Sequence, residues 1–225
     1  MEVFHCETFS LALPPGHRFP AGKYSRLHQR ICELNHNDIV IKAAPAATRE
    51  QLCLAHDIDY VSRVFDGRLS SAEVRALGFP WSVRLVERSR RSVGATMAAA
   101  AAACEQGLAV SLAGGTHHAH HAGGGGFCVF NDVAVTALHI RRAAPGFRVL
   151  LFDCDVHQGD GSARFLADHG GIYTCSIHSA RNYPHHKASS DFDVSLPDGT
   201  TDETYLQVLE TALAHAVKAS RPQLL

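Results

Sequence analysis

Short, nearly unbroken apolar runs alternate along this chain with longer stretches of helical periodicity. Ile39–Ala43, Phe147–Phe152 and Ile172–Ile177 read as strands, and Leu108–Ala113, whose apolar run is nearly continuous, reads as a buried one. Thr48 with Gln51 three residues on forms a capping box for a helix through Ala55, and Ser70 or Ser71 caps another short helix. Residues 82–104, rich in Arg, Glu and Ala, predict one long helix. Further helices are expected from Asn131 or Asp132 to about Arg142, ended by Pro145-Gly146, over Ser162–His169, and over Asp202–Ala219 behind Thr201 and Thr204. Glycine-rich 114–126 and the long segment 179–199 read as loops, the second long enough to suggest a role. Strands separated by helices imply an α/β fold, a parallel sheet with helices on both faces. The length fits one domain over residues 1–225.

Composition narrows the class. Hydrophobic residues make up 46% and charged residues 19%, which excludes overall disorder. A formal charge of −1 gives no global field for nucleic acid, so no direct nucleic-acid binding is expected. The one tight basic run, Arg88, Arg90 and Arg91, reads as a solvated helix face. No apolar run approaches a membrane span; alanine-rich Met97–Cys104 ends at Glu105-Gln106. The start has no basic region followed by an apolar stretch, so no signal peptide is expected. Seven cysteines without a CxxC pair, with Cys53, Cys104 and Cys175 in apolar runs, read as reduced buried thiols of a cytoplasmic protein. Strand alternation points Cys154 into the core.

Two segments carry chemistry. Asp153-Cys154-Asp155-Val156-His157 follows the apolar run 149–152 directly. Side chains at i, i+2 and i+4 of an extended segment share a face, so Asp155 and His157 are placed to share a divalent metal. The competing reading is a turn with two capping aspartates and a surface histidine. His117-His118 follows the run 108–113, and Asp153 and Asp160 are available to orient two imidazoles. Oriented imidazoles beside a metal are equipment for activating water against a carbonyl. Gly123–Gly126 lack the Gly-Lys-Ser/Thr of a phosphate cradle. His120, His121, His185 and His186 read as exposed. With sixteen histidines in all, a His-rich metal-binding protein stays open as an alternative.

The segments GGTHHAHHAGGGGFCVFNDVAV (114–135), LLFDCDVHQGDGSARF (150–165) and SIHSARNYP (176–184) resemble the zinc-dependent histone deacetylase superfamily. The last of these, with SDFDVSLPDGTTDETYL (190–206), is most similar to the class IV branch and its bacterial relatives. PPGHRFPAGKYSRL (14–27), LAHDIDYVSRV (54–64), GFPWS (78–82) and RSRRSVGAT (88–96) share that resemblance. It implies an arginase/deacetylase-like fold and removal of an acetyl group from acetyl-lysine or a small N-acetylated amine.

By resemblance, Asp155 and His157 are zinc ligands, with Fe²⁺ or Mn²⁺ as alternative metals. His118 is the general base, and His117 stabilises charge or protonates the leaving amine. Asp153 orients His117 and Asp160 orients His118. Gly126 offers its carbonyl to the substrate amide, and Phe127 and Tyr183 wall the acyl-lysine channel. Ser176 belongs to a monovalent-cation site, such as one for K⁺. Gln158 stands where many relatives carry a second histidine. The resemblance also implies a third zinc ligand in a later GDxLG-like segment and a tyrosine after a Gly-Gly pair. Neither motif occurs in these 225 residues. The expectation is therefore a C-terminally truncated relative with an incomplete sheet. An inactive metal- or acyl-lysine-binding module is the alternative that follows.

Overall fold

The computed structural model describes residues 1–6, 11–167 and 169–225. Its elements in order are β1 (Glu2–His5), α1 (Lys23–Glu33), β2 (Val40–Ala43), α2 (Arg49–Leu52), α3 (Ile58–Asp66), α4 (Ser71–Leu77), α5 (Val83–Gln106), β3 (Ala109–Ser111), α6 (Asp132–Ala143), β4 (Val149–Asp153), α7 (Asp160–Leu166), β5 (Ile172–Ser179), β6 (Phe192–Leu196) and α8 (Asp202–Ser220). The chain forms two compact units, Met1–Thr136 and Ala137–Leu225. Each carries a three-stranded, all-parallel sheet, β2-β1-β3 in the first and β4-β5-β6 in the second. This is the α/β parallel architecture expected from the alternating runs.

In the first unit, α5 packs on β1 and β3. Ala95, Ala99 and Ala102 supply its contact stripe against Phe4, Cys6, Ala44 and Ala113. Such small side chains let helix and sheet approach closely. Gly94 takes this to its limit, because an added Cβ would stand 2.0 Å from the Pro45 carbonyl oxygen. Helix propensity alone favours alanine over glycine by about 1 kcal/mol. Here the overlap with backbone outweighs it. Gly94→Ala is expected to destabilise the protein by roughly 1–3 kcal/mol, the usual range for overpacking. A urea midpoint unchanged or raised would contradict this.

The second sheet sorts its side chains by alternation. Leu150, Cys175 and Ile177 pack with Phe152, Tyr173, Phe192 and Val194 against Ala212 and Ala216 of α8. The intervening residues, Asp153, Ser176, His178, Asp193 and Ser195, therefore occupy the opposite face. One face of this sheet is apolar and the other carries polar chemistry. Leu224 makes a parallel bridge beside Val149, and its carbonyl accepts from Leu150 N–H at 2.9 Å.

Local signals held where capping fixed them. Thr48 and Gln51 form the expected capping box, Ser70 forms another with Glu73, and Ser82 caps α5. Several expectations need correction. Segment 179–199 is not all loop, since it contains β6. The strand at 108–113 is confined to Ala109–Ser111 and is only half-buried, with Leu108 60% exposed. Cys154 is exposed rather than core, because β4 ends at Asp153 and alternation stops with it. Cys104 is exposed too, near the end of α5, while Cys175 is buried. All seven cysteines are reduced thiols. The arginine run is not a solvated face. Arg88 is buried, Arg90 Nε donates to the Ala47 carbonyl at 2.9 Å, and Arg91 Nη1 donates to the Ala44 carbonyl at 2.6 Å. Among the described residues, no helix is long and apolar enough to cross a membrane.

Candidate active site

The first unit presents the histidine pair on a loop held from beneath. His117 and His118 are 7% and 6% exposed, and their ring centres lie 4.1 Å apart. Asp132, at the start of α6 and fully buried, turns its carboxyl group back to this loop. It accepts from Gly115 N–H at 3.1 Å, Thr116 N–H at 2.8 Å, the Thr116 hydroxyl at 2.6 Å and the Thr96 hydroxyl at 2.6 Å. Asn131 caps α6 by accepting from Ala134 N–H, while its amide nitrogen donates to the carbonyls of His117 and Ala119. The residues that open the helix therefore also fix the loop before it.

His56 ties the same loop to the start of α3. Asn131 N–H donates to its Nε2 at 2.9 Å, so the ring proton sits on Nδ1 and is donated to the His120 carbonyl at 3.1 Å. This tautomer is neutral. Burial holds the imidazole down at about 3, against an ordinary value of 6.5. In the unfolded chain His56 takes up a proton below its ordinary value, while in the folded chain it does not. Its contribution to stability is therefore complete above about pH 6.5 and is lost progressively as pH falls toward 3. The slope reaches about 1.4 kcal/mol per pH unit for one proton. A His56→Gln variant is expected to show a shallower pH dependence of unfolding free energy in that window, and an identical slope would contradict the assignment.

Gly126 and Phe127 close the loop. Both have positive φ, 54° and 67°. For phenylalanine this backbone is uncommon, and here it is fixed by Phe127 N–H donating to the Leu77 carbonyl at 3.0 Å. The ring packs with Phe19, Phe79 and His17 at centre distances of 5.3, 5.2 and 5.9 Å. Gly78, also at positive φ, leaves room for it, since a Cβ there would stand 2.8 Å from the Phe127 ring.

The second unit presents the aspartates and His157 at the end of β4. Asp155 N–H donates to Asp153 Oδ1 at 2.9 Å, and His157 N–H donates to Asp155 Oδ1 at 2.8 Å. The chain thus curls through successive aspartate turns rather than staying extended. The curl still brings the two candidate ligands together, with His157 Nδ1 2.9 Å from Asp155 Oδ1. Tyr183 lies edge-on to the His157 ring at 6.2 Å. Asp160, buried at the start of α7, has Arg164 Nη1 at 3.4 Å. Asp153 and Ser176 are register partners, and the buried Ser176 hydroxyl lies 3.0 Å from His178 Nδ1. Ser195 Oγ lies 3.2 Å from the other ring nitrogen, and burial holds the His178 imidazole below its ordinary range. Gln158 is fully packed and structural. Its amide nitrogen donates to Asp193 and to the Ala188 carbonyl, and its oxygen accepts from Ala188 N–H.

A carboxylate oxygen and an imidazole nitrogen are donors suited in kind to zinc. Among the described residues, no group of three or more His, Cys, Asp or Glu side chains is placed to hold one metal ion. Asp155 and His157 are two such donors in contact. Sequence reasoning missed the residues that support the histidine loop, namely His56, Asn131, Asp132 and Tyr60, whose hydroxyl donates to the Val129 carbonyl.

Comparison with known proteins gives a consistent result. The histone deacetylase domain family model matches residues 17–225. An uncharacterised protein of Picosynechococcus is 38% identical over 227 residues, covering 99% of this chain and 74% of that protein. The solved structure of an HDAC homologue from Aquifex aeolicus has a TM-score of 0.80 at 23% identity, over 97% of this chain and 64% of that one. An HDAC homologue solved in complex with SAHA has a TM-score of 0.79 at 24% identity, over the same shares. The chain thus spans about two thirds of the solved homologues it matches.

Proposed function

Because this chain belongs to the histone deacetylase family, we propose that it is a metal-dependent amide hydrolase acting on acetyl-lysine or a small N-acetylated amine. The observation that carries the metal assignment is the contact between Asp155 and His157 at the strand end. In this reading the two hold a zinc ion, or Fe²⁺ or Mn²⁺, which supplies polarisation of the amide carbonyl and eases ionisation of water. His118 takes the proton of the attacking water, and His117 stabilises charge and serves the departing amine. Asp153 and Asp160 orient the two imidazoles. The Gly126 carbonyl accepts from the substrate amide N–H, Phe127 and Tyr183 flank the aliphatic stem, and Ser176 contributes to a monovalent-cation site.

The HDAC homologue that binds SAHA supports an acyl-lysine-shaped ligand for this fold, and SAHA is therefore the inhibitor of choice for a test. The chain, supplied with zinc and a fluorogenic acetyl-lysine peptide, is expected to show turnover that SAHA blocks. Stoichiometric zinc and SAHA binding without turnover would replace hydrolysis by the second reading, a metal- and acyl-lysine-binding module. The donor pair, one short of the usual three protein ligands, is what favours that second reading.

A further inference from the structure

Lys187, in the segment between β5 and β6, is a cation that the proposed reaction leaves without a role. It is half-buried, and its Nζ donates to the Asn182 carbonyl at 2.6 Å and to the Pro184 carbonyl at 2.9 Å. These carbonyls stand on either side of Tyr183 in the chain. Asn182 Oδ1 in turn accepts from Tyr183 N–H at 2.8 Å. Just beyond the lysine, Gln158 anchors the segment by pairing with both the N–H and the carbonyl of Ala188 at 2.8 Å. Pro184 is buried, whereas the Tyr183 side chain is 40% exposed and edge-on to His157. The tyrosine thus stands out from a tethered base. Burial lowers the pKa of the ammonium, and the Asp160 carboxylate opposes that shift by favouring the charged form.

Carbonyls of a surface segment are satisfied by water as well as by a side chain, but water fixes no geometry. A charged donor makes shorter and stronger hydrogen bonds than a neutral one. An ammonium is compact and its three N–H groups diverge, so it meets two acceptors that point from different directions. The planar fork of a guanidinium suits paired oxygens instead. A segment ordered before its ligand arrives spares the complex the cost of ordering it. We propose that Lys187 is a positioning residue, which draws the Asn182 and Pro184 carbonyls together and so holds Tyr183 in place to flank the acyl-lysine stem. It acts through Tyr183 and not on the reacting atoms. Its effect on ligands rests on the reading of Tyr183 as a channel wall, whereas the clamp itself is measured without substrate or metal.

The test has two arms on the full chain. In the first, ¹⁵N relaxation of the metal-free protein reads the order of the Tyr183 amide. Lys187→Met keeps the aliphatic stem and removes the donors. The order parameter is expected to fall from about 0.85, that of rigid backbone, to below about 0.6. Lys187→Arg, charged but planar, is expected to fall between them and serves as the second variant. In the second arm the chain is loaded with zinc. Lys187→Met is expected to weaken SAHA and raise KM for an acetyl-lysine peptide by about fivefold to tenfold, with kcat within twofold of wild type. In a double-mutant cycle, adding Lys187→Met to Tyr183→Ala should cost nothing further, because the lysine acts only through that ring. An order parameter unchanged in Lys187→Met would overturn the clamp. Unchanged SAHA affinity in that variant, or full additivity with Tyr183→Ala, would overturn the positioning role. A wild-type chain that binds no SAHA would overturn the proposed function and with it the ligand effect, while the relaxation arm still decides the clamp.

Discussion

Alanine at position 132 is expected to lower the unfolding free energy by about 3–5 kcal/mol, the range for removing one partner from a buried charged cluster. Asp132 is fully buried and accepts from two backbone N–H groups and two hydroxyls. Removing the carboxyl group leaves those four donors without their acceptor, each at a cost of about 1–3 kcal/mol before relaxation. Relaxation is restricted on one side, where Gly114 packs so tightly that a Cβ there would stand 2.4 Å from Asp132 Oδ2. Asp132→Asn keeps the shape but replaces one acceptor oxygen with a donor, so its effect should be smaller and in the same direction. Urea denaturation of both variants checks this. A loss within about 0.5 kcal/mol of wild type, the level of an ordinary surface substitution, would mean that the loop carrying His117 and His118 is held by something else.

His118→Ala is expected to reduce turnover of an acetyl-lysine substrate by a factor of about 10²–10⁴, the usual contribution of a positioned general base. The ring is nine-tenths buried beside His117, so truncation also opens a small cavity. The two effects separate cleanly. A folding defect lowers the thermal midpoint and is offset by assaying at lower temperature, whereas loss of the base is not. Rates within twofold of wild type would remove His118 from the proposed role.

The sequence was legible where a single local rule decided the structure. Capping by Thr48 and by Ser70 or Ser71 placed two helix starts correctly, and the run rich in Arg, Glu and Ala from residue 82 placed α5. Continuous apolar runs located β4 and β5. Where signals were weaker, elements were lost. β6 alternates Phe192, Val194 and Leu196 with Asp193 and Ser195, a half-buried pattern hidden in a segment rich in turn residues. α3 begins with an aspartate N-cap and spaces Tyr60, Val61 and Val64 on one side, a signal that was present but unread. Strand β1 at Glu2–His5 offers only two inward apolar residues.

The site divides in the same way. Its chemistry-bearing residues sit in contiguous motifs, so their identity could be proposed from the sequence alone. The residues that hold them do not. His56 and Asn131 are brought together by tertiary packing across 75 positions, which no local period encodes. Cys154 shows the limit of alternation as a guide, because its rule lapses one residue after the strand ends. The aspartates of 153–157 serve two purposes at once, making the turn and offering ligand atoms, so the two readings of that motif were never exclusive.

Zinc titration of the chelator-treated chain, followed calorimetrically beside Asp155→Ala, addresses the metal assignment most directly. The account predicts one equivalent of zinc per wild-type chain and its loss in the variant, with the fold retained because Asp155 is exposed. A full equivalent still held by Asp155→Ala, or several equivalents bound equally by both proteins, would contradict it.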